Sequence, residues 1–208
     1  MNDEQIKSPM RIGMYGGAFD PPHTAHIALA QAAIKQLNLD VLHIIPTGFA
    51  WHKAQQMSSS SHRMAMAELA FGDIPKTNID AREILRGGPT YTLDTLHELQ
   101  VQYPGAQLYL VMGADQAAAL PTWKHFDEIA KLAIICVAER ADTSGLIPYA
   151  STLNSLQNSL QLRAIHIELP IMLQSATDVR NLVAMRKPYQ HLLPPAVVAY
   201  IEEHWLYI

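Results

Sequence analysis

Residues 10–29 read MRIGMYGGAFDPPHTAHIAL, and this stretch decides the fold. Ile12, Met14 and Tyr15 form a short apolar run suited to a buried parallel strand. Gly16 and Gly17 let the chain turn where a Cβ would obstruct it, so the strand is expected to end at Gly16. Pro21 and Pro22 fix φ and suit the first positions of a helix, whose early N–H groups have no partner inside it. Such a helix start attracts anions. His23 and His26, three apart in the first turn, are expected to project from one face beside those N–H groups and the Gly16-Gly17 backbone. A phosphate fits there.

Strand, glycine turn and helix alone are a weak signal. The stretch is neither the G-x-G-x-x-G dinucleotide fingerprint nor a P-loop. The histidines have two other readings: ordinary flanking and capping of a helix start, or a zinc pair that Cys, Asp or further His would have to complete. GGAFDPPHTAH resembles the G-G-x-F-D-P-x-H-x-G-H signature of the nucleotidyltransferase superfamily. The resemblance implies that His23 and His26 contact the triphosphate of ATP and that Gly16, Gly17 and Phe19 belong to the ATP site. Ala25 departs from the pattern, standing where the superfamily has Gly. It favours the helix and adds a methyl group above that turn.

The rest of the chain is consistent with one nucleotide-handling domain over residues 1–208, with 1–9 expected to be a flexible N-terminus. Hydrophobic residues make up 49% of the chain and charged ones 16%, and the net charge of −4 argues against a broad nucleic-acid surface. Residues 1–9 lack the apolar segment of a signal peptide, and no apolar run approaches membrane-spanning length, so a cytoplasmic protein is expected. The single cysteine, Cys136, lies in AIICVA and reads as a small core residue. There is no internal repeat, and oligomeric state is left open, a homo-oligomer being compatible with the sequence.

Strand and helix patterns alternate beyond the first helix. VLHIIP at 41–46 reads as a second strand, followed by a polar loop at 47–61 that contains Gly48, four serines and the pair His52-Lys53. Residues 61–71 read as a helix, and 78–84 as an edge strand ending in Arg82-Glu83. Arg86-Gly87-Gly88-Pro89 breaks it, and a helix with Leu93, Leu96 and Leu99 on one face follows, with Thr92 as N-cap. QLYLVMGAD at 107–115 is a strong strand with Gly113 at its carboxyl end and Asp115 just beyond, where ligands of open α/β sheets lie. Asp115 suits ribose hydroxyls, or else caps the next helix. Residues 133–139 and 164–169 read as two more strands, and 143–162 as a variable connection. Ser175 is the expected N-cap of a helix carrying Thr177 and Arg180, and Pro194-Pro195 opens a last helix. This alternation specifies a Rossmann-like, doubly wound α/β fold with a mainly parallel sheet and helices on both faces.

Several of these segments resemble bacterial nicotinate mononucleotide adenylyltransferases in order and in type. Lys53 matches the superfamily's phosphate-binding cation, although the prolines that usually precede it are absent. Pro89-Thr90-Tyr91-Thr92 matches the helix start that binds the nicotinate carboxylate, Gly113-x-Asp115 the ribose contact, and Trp123 the tryptophan that stacks on the pyridine ring. Arg140 stands where the family has an arginine, without the following Pro-Gly, and Ser175-Ala176-Thr177-Asp178-Val179-Arg180 matches the element holding ATP phosphates and the leaving pyrophosphate. The resemblance implies adenylyl transfer from ATP to nicotinate mononucleotide. His23, His26, Lys53 and Arg180 would act on the phosphates. Gly16, Gly17, Phe19, Arg140, Ser175 and Thr177 would bind ATP, and Tyr91, Thr92, Gly113, Asp115 and Trp123 the mononucleotide. Magnesium is expected through the ATP phosphates rather than through protein side chains. The other readings are a nicotinamide mononucleotide or phosphopantetheine adenylyltransferase, and an inactive nucleotide-binding regulatory protein.

Overall fold

A computed structural model describes residues 8–48, 57–138, 163–170, 172 and 174–208. Residues 1–7, Lys53, Arg140 and the connection at 143–162 lie outside the described residues. The strands are β1 (Arg11–Gly17), β2 (Val41–Pro46), β3 (Thr77–Ile79), β4 (Gln107–Gly113), β5 (Ala133–Ala138) and β6 (Ala164–Ile167). The helices are α1 (Thr24–Gln36), α2 (Ser60–Phe71), α3 (Arg82–Arg86), α4 (Thr92–Gln102), α5 (Ala114–Ala119), α6 (Phe126–Leu132), α7 (Ala176–Ala184) and α8 (Pro195–Glu203). A short 3₁₀ turn, Leu120–Thr122, joins α5 to the segment before α6.

The six strands form one parallel sheet in the order β3-β2-β1-β4-β5-β6. Chain order reverses between β1 and β4, which makes their carboxyl ends the switch point where an open α/β sheet binds ligands. The register aligns those ends: Gly17 pairs with Pro46, Tyr15 with Val111 and Gly113 with Ala138. The Rossmann-like α/β fold read from the sequence is the fold observed.

Alternating side chains make two cores. Ile12, Met14, Leu108, Leu110, Met112 and Ile135 pack with Leu93, Leu96 and Leu99 of α4 on one face. Tyr15, Leu42, Ile44, Tyr109, Val111 and Cys136 pack with Leu29, Ala30 and Ala33 of α1 on the other. Burial pushes the Cys136 thiol up to about 12, as fits an inert core residue. A third cluster of Met66, Val179, Val183, Val197 and Ile201 docks α7 and α8 onto α2.

Four local expectations are corrected. Strand β1 runs through Gly17, because Gly17 still pairs with Pro46. The prolines do not occupy the first helical turn: α1 begins at Thr24, with His23 as the extended N-cap and a cis Asp20–Pro21 peptide before it. Strand β3 stops at Ile79, and Arg82-Glu83 lies in α3, because the Asp80 carboxylate turns the chain by accepting the Arg82 N–H at 3.0 Å. Tyr91, not Thr92, is the N-cap of α4, so Thr92 is its first helical residue.

Candidate active site

The turn after β1 is held from within and from a distance. His23 caps α1, and its backbone N–H donates to Nδ1 of His26 at 3.1 Å. The two rings stack with centroids 3.7 Å apart. Because Nδ1 of His26 accepts, the proton of the neutral ring sits on Nε2, a donor. The Phe19 ring is 1% exposed and lies edge-on to His26 at 5.3 Å, packed also on Tyr15 and Phe71. Phe19 therefore supports the imidazoles from the core side. Both histidine readings meet here, since the residues that would face phosphate also cap the helix.

The Ser175–Arg180 element lies against this turn. Ser175 caps α7 as expected: its hydroxyl accepts the Asp178 N–H at 3.1 Å while the Asp178 carboxylate accepts the Ser175 N–H at 3.0 Å. Arg180 crosses to the signature, Nη1 donating to the Asp20 carbonyl at 2.8 Å and Nη2 to the Thr177 hydroxyl at 3.1 Å. Gln174 donates to the Thr24 hydroxyl at 2.6 Å. Gln174 is thus a second clasp between the two elements.

Beneath them lies a buried charge network that sequence reasoning missed. Arg63 is 2% exposed, and its guanidinium donates to the carbonyls of Ala18 (3.1 Å), Gly48 (3.3 Å) and Ser58 (3.1 Å). Burial lowers its pKa, and the nearby Asp20 carboxylate opposes that. Asp20 accepts the Ser58 N–H at 3.0 Å and the Tyr207 hydroxyl at 2.6 Å. Burial, with Asp20 beside it, holds the Tyr207 phenol far above its ordinary value. One signal was available: Arg63 shares a helical stripe with the buried Met66 and Ala67, an apolar-face position for a charged residue.

The region around Tyr91 and Trp123 is built differently. Gly87 and Gly88 take φ of 67° and 69°, which places the chain for Tyr91 and the start of α4. Asp115 is exposed in the first turn of α5, just past Gly113, at the end of β4. Trp123 closes the 3₁₀ turn, its N–H bonded to the Leu120 carbonyl at 3.0 Å, and it is half-buried against the core. The Lys124 ammonium lies 4.3 Å from the Tyr91 ring centroid and so joins the tryptophan segment to the α4 start. Below, Glu83 is 4% exposed and accepts the Thr95 hydroxyl at 2.9 Å and the Gly48 N–H. Burial raises its pKa to about 7, against the lowering effect of Thr95 and Arg86. A Cβ on Gly48 would overlap the Glu83 carbonyl and meet the Thr90 hydroxyl at 3.0 Å, so only glycine lets β2 exit this close to α3 and the turn before α4.

The structure thus gathers Gly16, Gly17, Phe19, His23, His26, Ser175, Thr177 and Arg180 at one part of the carboxyl edge, and joins Tyr91, Thr92 and Trp123 through Lys124 at another. Lys53 and Arg140 lie outside the described residues. Among the described residues no group of three or more His, Cys, Asp or Glu is arranged to hold a metal ion, and Nδ1 of His26 is taken by the cap. The zinc-pair reading therefore finds no completing ligands among them. No helix among the described residues is long and apolar enough to cross a membrane.

A 3-2-1-4-5-6 parallel sheet with the starts of α1 and α7 clasped together at its carboxyl edge defines a Rossmann-like α/β protein with its site at the switch point, and the model of the family described as "Cytidylyltransferase-like" matches residues 14–182. The chain is 45% identical over 197 residues to the "Probable nicotinate-nucleotide adenylyltransferase" of Albidiferax ferrireducens, covering 95% of this chain and 98% of that one. It is 39% identical over 201 residues to the protein of the same name from Methylibium petroleiphilum, covering 95% and 92%. The solved Plasmodium falciparum nicotinic acid mononucleotide adenylyltransferase complexed with NaAD shares the fold, with a TM-score of 0.77 at 19% identity over 95% of this chain and 97% of that one. The chain belongs to the nicotinate-nucleotide adenylyltransferase family.

Proposed function

We propose that this protein transfers the adenylyl group of ATP to the phosphate of nicotinate mononucleotide, giving nicotinate adenine dinucleotide and pyrophosphate for NAD biosynthesis. The observation that carries the reading is the contact from Arg180 to the Asp20 carbonyl, which brings two phosphate-directed elements 160 residues apart to one place. A phosphate oxygen of the mononucleotide attacks the α-phosphorus of ATP while the bond from that phosphorus to the bridging oxygen breaks, and the electron pair leaves with pyrophosphate. The attacking group is already an anion near neutral pH, so no general base is needed. What the protein supplies is position and preorganised donors. His26 offers Nε2–H, and the bonds to Asp20 and Thr177 fix the plane of the Arg180 guanidinium where charge builds on the leaving group. Lys53 and Arg140 complete the phosphate contacts in this proposal, with Gly16, Gly17, Ser175 and Thr177 around ATP.

The residues at the turn fit magnesium carried by the nucleotide rather than a protein cage: Asp20 has its carboxylate committed to Ser58 and Tyr207. When bound, magnesium neutralises phosphate charge and keeps most of its waters. On the acceptor side Trp123 offers an indole face to the pyridine ring, Asp115 meets the ribose, and the first N–H groups of α4 meet the carboxylate. ATP and the mononucleotide are the partners of this reading, which also places the protein in the cytoplasm with its ATP supply. Incubating purified protein with ATP, magnesium and nicotinate mononucleotide should yield the dinucleotide and pyrophosphate in equal amounts. Absence of the dinucleotide would overturn the proposal.

A further inference from the structure

We infer that the Lys124 side chain is a specificity-determining residue for the acceptor, its ammonium favouring a pyridine carboxylate over a neutral carboxamide. The inference rests on the proposed function and names one residue more in the same site. Lys124 follows Trp123 directly, and its Nζ lies 4.3 Å from the centroid of the Tyr91 ring, the N-cap residue of α4. A cation over an aromatic face keeps its charge while losing freedom to wander. One end of the Lys124 stem is thus fixed beside the ring-stacking tryptophan, and the other is held one residue from the helix start that would take the carboxylate.

The surrounding charges do not consume this cation. The acids on the flanking elements are Asp94 and Glu98 in α4, Asp115 in α5, and Asp127 and Glu128 in α6, and Glu98 is already paired with Arg82 and Arg86. Glu128 pairs with His125 at 3.0 Å, and none of the ion pairs among the described residues takes up Lys124. The neutral donors of the α4 start can hydrogen-bond a carboxamide oxygen as well as a carboxylate, less strongly. A full positive charge separates the two more sharply, because it gains little from the amide dipole and gains a Coulomb attraction from the anion.

The test compares kcat/KM for nicotinate mononucleotide with that for nicotinamide mononucleotide, in the unmodified protein and in Lys124→Met, which keeps the stem and removes the charge. The acid-to-amide ratio should fall about fivefold, equivalent to about 1 kcal/mol, with the change carried by KM for the acid. Lys124→Glu should lower it further, and Lys124→Arg should keep it. Raising the ionic strength to about 1 M, where the Debye length is about 3 Å, should shrink the ratio of the unmodified protein toward that of Lys124→Met. An unchanged ratio in Lys124→Met would overturn the inference. So would an equal loss with both substrates, which would place the ammonium on the phosphate they share. Failure of the unmodified protein to make either dinucleotide would instead defeat the proposed function, so the two failures are distinguishable.

Discussion

Around Asp20 the site is held by groups far along the chain: Arg180, 160 residues later, reaches the Asp20 carbonyl, and Tyr207, 187 residues later, reaches its carboxylate. Around Tyr91 it is held locally, by two left-handed glycines, by the Lys124 contact and by Glu83 bonded to Thr95 only 12 residues away. The proposed phosphate end therefore depends on nearly the whole fold and includes the buried charges of Arg63 and Asp20, whereas the proposed acceptor end is a short, partly exposed assembly. A fixed frame suits ATP and pyrophosphate, whose charge must be met without reorganisation. An assembly of short segments suits the role proposed for it, that of distinguishing one pyridine from another.

If the phosphate end is this rigid, removing one group there should hurt turnover far more than folding. His26→Ala should lower kcat by at least about a hundredfold, the scale of a lost transition-state donor, while costing about 1 kcal/mol of stability through the lost cap. Arg180→Ala should behave similarly and also weaken pyrophosphate binding, measured as product inhibition. Near-normal turnover in a folded His26→Ala protein would leave the histidine with capping alone.

The acceptor end should be marked by pH. The carboxyl of Glu83 titrates at about 7 in the folded protein against an ordinary value of 4.5, so the folded state holds the proton more tightly. The resulting stability is fully present below about pH 4.5 and is lost as pH rises through about 7, amounting to about 3 kcal/mol. The group faces Thr95, Arg86, Glu98 and the Gly48 N–H. In denaturant unfolding, Glu83→Gln should therefore gain stability relative to the unmodified protein between pH 5 and about 8. Parallel pH curves for the two proteins would contradict this.

A smaller effect separates charge recognition from stacking. Thr92 is the first residue of α4, where proline is well tolerated, and Tyr91 before it is already extended at φ −124° and ψ 133°. Thr92→Pro should then keep the helix, remove one N–H, and lower the acid-to-amide ratio about tenfold. Trp123→Ala should weaken both substrates alike and leave the ratio nearly unchanged.

The sequence made the outline of both ends readable for different reasons. Strand β1, the histidines and Ser175–Arg180 were legible because glycine turns and helix caps are local physics, and because the signature is dense. That the two phosphate elements touch was not legible, since a contact between Asp20 and Arg180 leaves no periodic trace. Arg63 and Glu83 escape notice because buried charges pass for surface residues until their partners are seen, and Tyr207 because nothing in the sequence ties its hydroxyl to Asp20. Strand β3 ends earlier than its pattern predicts because the side chain of Asp80, rather than a glycine or proline, ends it. Threonine favours the cap position, which points to Thr92, but the extended backbone of Tyr91 occupies it without a side-chain bond.

The most direct measurement offers ATP and magnesium to the unmodified protein with nicotinate mononucleotide and nicotinamide mononucleotide in parallel, and compares kcat/KM with the dinucleotide products identified. A site that stacks either ring equally and meets one carboxylate with charge-assisted bonds predicts roughly a hundredfold preference for the acid, on the order of 3 kcal/mol. Equal use of the two mononucleotides would contradict the carboxylate site at the start of α4.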